Sequence, residues 1–339
     1  MKMKKRIIKV KINRKELLSV LEAVSPGLTS KEFIEQSNAV VFHAGQVITF
    51  NDEVSCSMKS PLDIEGAIVA AKLIALLKTL SGDEVEIELG EGELIFKGEK
   101  RKKSGIPMQS KIGLPVNDIE KPGEWKPLPV GFFEGVGIVQ QCCASNDSKF
   151  ALTCIHITED RVEATDSFQV CKYPLPTGIS DVLVRRSAFK SILNADVVNF
   201  SETEKWLHFQ TAKGLQFSCR KHQAKFPDIS KFFDVEGNKV KLPKEICEGV
   251  IGAQIFSEDA DIEVELRKEK IRIAGRGVNG WFTQVLDTEY NGEEIKFTIS
   301  PKMLLDIQKR TEDCEISKNR LRVACDKFTF VTCLGKVKD

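Results

Sequence analysis

Ile68-Val69-Ala70-Ala71-Lys72-Leu73-Ile74-Ala75-Leu76-Leu77 reads as a short apolar strand running into a basic amphipathic helix. The phrase returns as Leu183-Val184-Arg185-Arg186-Ser187-Ala188-Phe189-Lys190-Ser191-Ile192. It returns again as Thr298-Ile299-Ser300-Pro301-Lys302-Met303-Leu304-Leu305-Asp306-Ile307. Val69, Val184 and Ile299 are equivalent, each 115 residues beyond the last. Self-similarity at that period means that the chain repeats at the scale of a domain.

Two further phrases keep the same period. Leu17, Leu18, Leu21 and Val24 map onto Phe132, Phe133, Val136 and Val139, apolar positions at i, i+1, i+4 and i+7 that make one face of a helix. Leu128-Pro129 recurs as Leu242-Pro243, and Phe132 and Val136 match Ile246 and Val250. Val47-Ile48-Thr49-Phe50-Asn51-Asp52 finds Val162-Glu163-Ala164-Thr165-Asp166-Ser167, while the third copy, Ile271 to Arg276, needs a shift. Each unit therefore reads strand, helix, three or four strands, helix, three strands. The strands rest on alternation, as in Val85-Glu86-Ile87-Glu88-Leu89, and on turns such as Gly90-Glu91-Gly92. The stretches Pro115 to Gly123 and Asp234 to Asn238 mark the joints, giving domains 1–119, 120–234 and 235–339. Two helices against antiparallel sheet in each unit make the fold class α+β.

The 339 residues are 42% apolar and 29% charged, enough for real cores and too apolar for a disordered chain. Net charge is +1, so no global field demands a nucleic-acid partner. The charge is nevertheless sorted. The second helices, Ala71 to Leu80, Arg185 to Leu193 and Pro301 to Arg310, carry +2, +3 and +2, which leaves about −6 elsewhere. Three equivalent cationic helices, placed side by side, would make one basic surface suited to duplex phosphates without base reading. The first helices carry offsetting charges: Arg14 and Lys15 against Glu16 and Glu22, and Glu134 alone.

Other signals point away from chemistry. The apolar stretch Gly66 to Leu80 is too short for a membrane span and carries Lys72 and Lys78. The start, Met1-Lys2-Met3-Lys4-Lys5-Arg6, is followed by alternating Ile7-Ile8-Lys9-Val10-Lys11-Ile12, which reads as a strand rather than a signal peptide and implies a cytoplasmic protein. Ten cysteines lack any C-x-x-C pair, and most sit among apolar neighbours as small hydrophobes. His43, His156, His208 and His222 stand singly, with no partner at ligand spacing, so neither metal nor cofactor is expected. Gly275-Arg276-Gly277-Val278-Asn279-Gly280 spells G-x-G-x-x-G, but a strand-like Trp281-Phe282-Thr283-Gln284-Val285-Leu286 follows, so it reads as a glycine-rich hairpin. Lys100-Arg101-Lys102-Lys103 reads as a solvated loop or edge strand.

Tripling with a basic helix per repeat resembles the bacterial-type sliding clamp, the β subunit of DNA polymerase III. Arg161-Val162-Glu163-Ala164-Thr165-Asp166 is similar to that family's middle-domain strand and Ala-Thr-Asp turn, and Phe226-Pro227-Asp228-Ile229 to the segment closing the domain. The resemblance covers essentially the whole chain, which is somewhat short for a cellular member and suggests a phage or mobile-element version. It implies two chains joined head to tail as a homodimer ring, helices lining the hole and sheets forming the rim, with double-stranded DNA, a replicative polymerase and a clamp loader as partners.

Residue by residue, the resemblance implies DNA contacts at Lys31, Lys72, Lys149, Arg185, Arg186, Lys190, Lys302 and Lys309. It implies a partner-peptide pocket at Leu152, Thr165, Ser167, Phe168, Val170, Cys333 and Leu334, although the usual Gly-His-Arg-Leu run is here Ser167-Phe168-Gln169-Val170 and the C-terminal tail differs. Ile255 and Phe256 match apolar positions at the subunit interface. The alternative is a metal-dependent DNA-acting enzyme on the same scaffold, with Asp52, Asp166 and Asp228 as ligands. Those carboxylates fall at different points of their repeats and bring no His or Glu partner.

Overall fold

The computed structural model describes residues 9–99, 101–146, 149–257 and 261–337. Met1 to Ile8 of the N-terminal strand reading, and Lys100 of the basic run, lie outside the described residues.

Each repeat runs strand, helix, four strands, helix, three strands. The helices are α1 (Arg14–Val24), α2 (Ala70–Thr79), α3 (Phe132–Val139), α4 (Arg186–Lys190), α5 (Ile246–Phe256) and α6 (Pro301–Gln308). Asn13 caps α1, its side-chain oxygen accepting from the Lys15 and Glu16 amides at 2.9 and 3.1 Å. Leu17, Val20, Leu21 and Val24 form its buried face. Against the expected Arg185 to Leu193, α4 has only five residues. Arg185 is extended and ends the strand Val182–Arg185, and beyond Lys190 the chain tightens into turns.

The chain divides into two compact units, residues 1–130 with 184–223, and residues 131–183 with 224–339. In the first, α1 packs on α2 and on the strands Gln46–Phe50 and Val54–Lys59. In the second, α5 packs on α6 and on the strands Lys270–Gly277 and Gly280–Asp287. The α5 contact is very close. A Cβ on Gly275 would lie 1.9 Å from the Ala253 carbonyl oxygen, so only glycine lets helix and strand backbones touch there.

The sheets show how consecutive repeats join. In the first unit, Val54–Lys59 of repeat one pairs antiparallel with Gln216–His222, the last strand of repeat two, with Ser57 opposite Gln216 and Val54 opposite Cys219. In the second unit, Gln169–Pro174 of repeat two pairs antiparallel with Phe328–Cys333, the last strand of repeat three, with Lys172 opposite Thr329 and Gln169 opposite Thr332. Ser57 and Lys172 are 115 residues apart, and Gln216 and Thr329 each stand three residues before the partner (Cys219, Thr332) of the second residue of the preceding hairpin strand (Leu207, Leu321), so the two seams share one register.

A connecting strap crosses each seam. Leu114, with Ile112, Val116 and Ile119, packs on Ala39, Val41, Phe50, Ala67 and Trp206. Ile229, Phe233 and Val235, with Phe226 and Phe232, pack on Val170 and Val331. Each strap therefore buries apolar side chains over residues from both sides of its seam.

Two further four-stranded sheets remain. Lys103–Pro107 edges the sheet it forms with Glu93–Lys97, Glu84–Leu89 and Lys9–Asn13. Gly280–Asp287 edges the sheet of Lys270–Gly277, Ile262–Arg267 and Ile295–Ile299. Among the described residues, each of these two edge strands has one strand neighbour. Gly277 pairs with Gly280, so the G-x-G-x-x-G spelling is a hairpin as read. No helix among the described residues is long and apolar enough to cross a membrane.

Candidate functional site

The basic helices hold their charge in two ways. Lys72, Arg186, Lys190 and Lys302 are exposed, with no carboxylate partner among the described residues. Lys78 is tied to Glu22 of α1 at 2.8 Å, and Lys309, just past α6, lies 3.3 Å from Asp306. Arg185 is half-buried, 3.4 Å from Glu53. Arg14 donates to the Leu77 and Gly82 carbonyls at 2.8 Å each, placing a cation at the negative end of α2.

Lys31 is exposed on the loop after α1. Buried Gln36 pegs that loop, its amide nitrogen donating to Gln109 Oε1 and the Lys111 carbonyl, and its oxygen accepting from the Gly113 and Leu114 amides. Lys149 is exposed at the entry to the turn Phe150–Thr153.

The turn expected at the partner pocket is tightly built. Asp166 Oδ1 accepts from the Phe168 and Gln169 amides at 2.9 Å each, while Thr165 Oγ1 donates to the Gln169 carbonyl and accepts from the Ser167 amide. Ser167 has φ +82°, and Phe168 is thrown outward, 71% exposed. Asn51 makes the same turn 115 residues earlier, accepting from the Glu53 and Val54 amides, with Asp52 at φ +75°.

The seam then brings the C-terminal strand alongside, the Cys333 amide donating to the Phe168 carbonyl at 2.8 Å. Phe168 and Cys333 thus meet at the surface. Leu152 and Leu334 are buried, and Val170 lies opposite Val331 inside the core beneath the second strap.

Around the edge strand Gly280–Asp287, apolar groups face water. Ile255 is 74% and Trp281 66% exposed, and Ile251, Val278 and Val285 are exposed with them. Phe256 is half-buried, its ring against Gly280, and the Phe282 ring lies against Gly252 of α5.

The three aspartates considered as metal ligands have other tasks. Asp52 accepts from Arg220 at 2.6 Å, Asp166 holds its turn, and Asp228 accepts from the Ser230 amide at 2.9 Å. Bonds from Ser230 hold the Asp228 carboxyl below the usual range. No group of three or more His, Cys, Asp or Glu among the described residues is placed to hold a metal. Seven of the ten cysteines are buried, and burial pushes the Cys56 and Cys314 thiols up to about 12.

Sequence reasoning missed one cluster. His156, set aside as a lone histidine, sits with Nδ1 2.8 Å from Glu163 and Nε2 2.8 Å from Asp181, under the stacked ring of Phe226. Glu163 lies seven residues on, opposite it in the paired strands. Strand pairing was the signal that would have found it; Asp181 and Phe226 arrive only through tertiary folding.

No family model matches the sequence, and a search of curated proteins finds no match. Solved structures do match over the full chain. They include a DnaN sliding clamp (DNA polymerase III subunit beta) from Bartonella birtlesii, with a TM-score of 0.85 at 15% identity. The DNA polymerase sliding clamp from Bacillus subtilis gives 0.83 at 15%, and that from Pseudomonas aeruginosa 0.80 at 18%. Each comparison covers 98% of this chain and 100% of the other. The chain has the DNA clamp fold.

Proposed function

We propose that this clamp-fold chain is a DNA polymerase processivity factor. Two copies close into a ring around duplex DNA and tether a replicative polymerase, with a clamp loader as the second partner and the cytoplasm as the place of action. The ring is built from three quasi-equivalent domains per chain, 1–119, 120–234 and 235–339. The protein acts by topology and binding, without catalysis of its own.

The observation that carries this reading is the repeated seam and the two unmatched edges it leaves. Ile48, Glu163 and Arg272 occupy one place in their repeats, and their strand partners are Ser57, Lys172 and Val285. Leu94, Leu207 and Leu321 are the second residues of equivalent hairpin strands, and their partners are Ile106, Cys219 and Thr332. Continuing the shared register to a second copy puts Val285 opposite Lys103 and Phe282 opposite Ile106. Two such contacts close a two-copy ring and leave neither of these edges open. Trp281, Val285 and the nearby Ile255 and Phe256 are then covered.

Within the ring, exposed Lys31, Lys72, Lys149, Arg186, Lys190 and Lys302 supply diffuse phosphate contacts, with Arg185 and Lys309 weakened by their carboxylate neighbours. Such contacts are individually weak, so the ring stays on DNA by encirclement and still slides. Phe168, Ser167 and Cys333, backed by the buried Thr165, Leu334, Leu152 and Val170, form the surface that takes a short apolar peptide of a partner. The outward Phe168 supports an aromatic-lined site.

The test uses Lys103→Cys with Val285→Cys in a chain whose exposed Cys325 and Cys333 are serine. Antiparallel neighbours lie about 4.5–5.5 Å apart at Cα, within disulfide reach. The chain is mixed with nicked DNA circles, oxidised, and washed in high salt. The expected product is a covalent dimer of about 76 kDa, twice 37.9 kDa, held on circles and released when they are cut. Absence of the cross-link, or equal loss from circular and linear DNA, refutes the proposal.

A further inference from the structure

The two straps cover quasi-equivalent ground but are built from different chemistry. Under the first, Val41 and Ile48 face each other across paired strands, and Val41 belongs to a wholly apolar cluster. The positions 115 residues on, under the second strap, are His156 and Glu163. Phe226 of that strap stacks on the imidazole at 4.4 Å with ring planes 28° apart. Lys172 Nζ sits 4.3 Å over the Phe233 ring. The first strap thus rests on a wholly apolar cluster, whereas the second adds a titratable ring to its apolar footing on Val170 and Val331.

The hydrogen bonding of that ring demands two protons. Nδ1 faces Glu163 and Nε2 faces Asp181, each at 2.8 Å, and ionised carboxylates only accept. A neutral imidazole has one N–H, so one carboxylate would confront a lone pair. Glu163 is buried and also holds Arg161 at 2.8 Å, whereas the Asp181 side chain is 81% exposed and free to turn to water. The other charged groups of the cleft are Asp160 and Arg161 on the neighbouring turn and strand, Lys172, and Lys225 and Asp228 on the strap. Asp160 is bonded to Arg161 and Thr158, so it does not substitute for Asp181.

We propose that the second strap, residues 225–235, is a pH-sensitive clasp over the seam between repeats two and three. It is held while His156 carries both protons and loosened when the ring becomes neutral, whereas the first strap, residues 112–119, is indifferent to pH. Loss of the charge removes the Asp181 bond and the cationic component of the Phe226 stack together. Burial opposes the charge on His156, but its bonds to Glu163 and Asp181 outweigh burial and raise its pKa, so release falls on the alkaline side of an ordinary histidine. The clasp is independent of ring formation and DNA.

The test is amide hydrogen exchange on the full chain at about pH 6 and about pH 8.5, on either side of an ordinary histidine, corrected for intrinsic exchange. The amides of Phe232, Phe233 and Val235, bonded within the strap, are the reporters. Their protection is expected to fall roughly fivefold at the higher pH, with residues 112–119 unchanged. Asp181→Asn, at an exposed site, is expected to lower the His156 titration midpoint seen by NMR, and His156→Gln to flatten the pH response. Equal responses in the two straps, or an unshifted His156 titration in Asp181→Asn, would overturn the inference, even if His156→Gln fails to fold.

Discussion

Trp281→Ala probes the proposed closure most directly. Trp281 stands on an unpaired edge, 66% exposed, where the extrapolated register sets it opposite Pro107 of a second copy. A tryptophan is a large apolar group, and covering its exposed part beyond what alanine would cover removes on the order of 100 Å² from water. At about 25 cal/mol per Å² that is roughly 2.5 kcal/mol per contact. A two-copy ring has two such contacts and both must part, so dissociation into monomers becomes easier by about 5 kcal/mol. The dimer Kd should rise by roughly three to four orders of magnitude. Sedimentation velocity over a concentration series reads this as a shift toward the 37.9 kDa monomer. Phe33→Ala is the control, since Phe33 is also exposed, at 83%, but lies on the loop after α1 and in neither edge strand. A change below about tenfold for Trp281→Ala, or a matching change for Phe33→Ala, refutes the reasoning.

His208 and Gly275 give tests of the fold itself. His208 is fully buried, with Ser218 and Thr203 hydroxyls 2.8 and 3.1 Å from its nitrogens, and burial pushes its pKa down to about 4 despite the nearby Glu120. The unfolded chain takes up that proton near pH 6.5 and the folded chain does not, so stability falls as pH drops below 6.5, by about 2 kcal/mol at pH 5. Urea unfolding of wild type and His208→Gln should show that this part of the slope is lost in the variant; parallel slopes sink the assignment. Gly275→Ala forces α5 away from its strand and should cost roughly 2–4 kcal/mol in the same assay. An unchanged midpoint would mean that the close approach is not there.

Much of the fold was legible because a repeat multiplies a weak signal. One amphipathic segment such as Leu17 to Val24 is ambiguous, but its echo at Phe132 to Val139 fixes helix and period together. Residues whose state depends on distant neighbours were not legible. Lys78 reads as a free cation until Glu22 meets it through the packing of α1 on α2. Arg185 reads as helix, yet its extended backbone and Glu53 make it the end of a strand. Val170 reads as a pocket wall on an alternating strand, but the seam and strap bury it against Val331 and Ile229. His156 reads as solitary because its partners are separated from it by 7, 25 and 70 residues. The edge strands, which carry the ring proposal, cannot be recognised before sheet order is known.

The straps also bear on where such an assembly would come apart. Each passes over a boundary that the polypeptide itself crosses, fastening it with several buried apolar side chains as well as with backbone bonds. A boundary between separate molecules has no such belt, because no peptide linkage bridges it. Of the six joints in the proposed circle, four are strapped and two are bare. On the proposed function, DNA admitted sideways would enter through doors already chosen, at the two places where the chain is discontinuous.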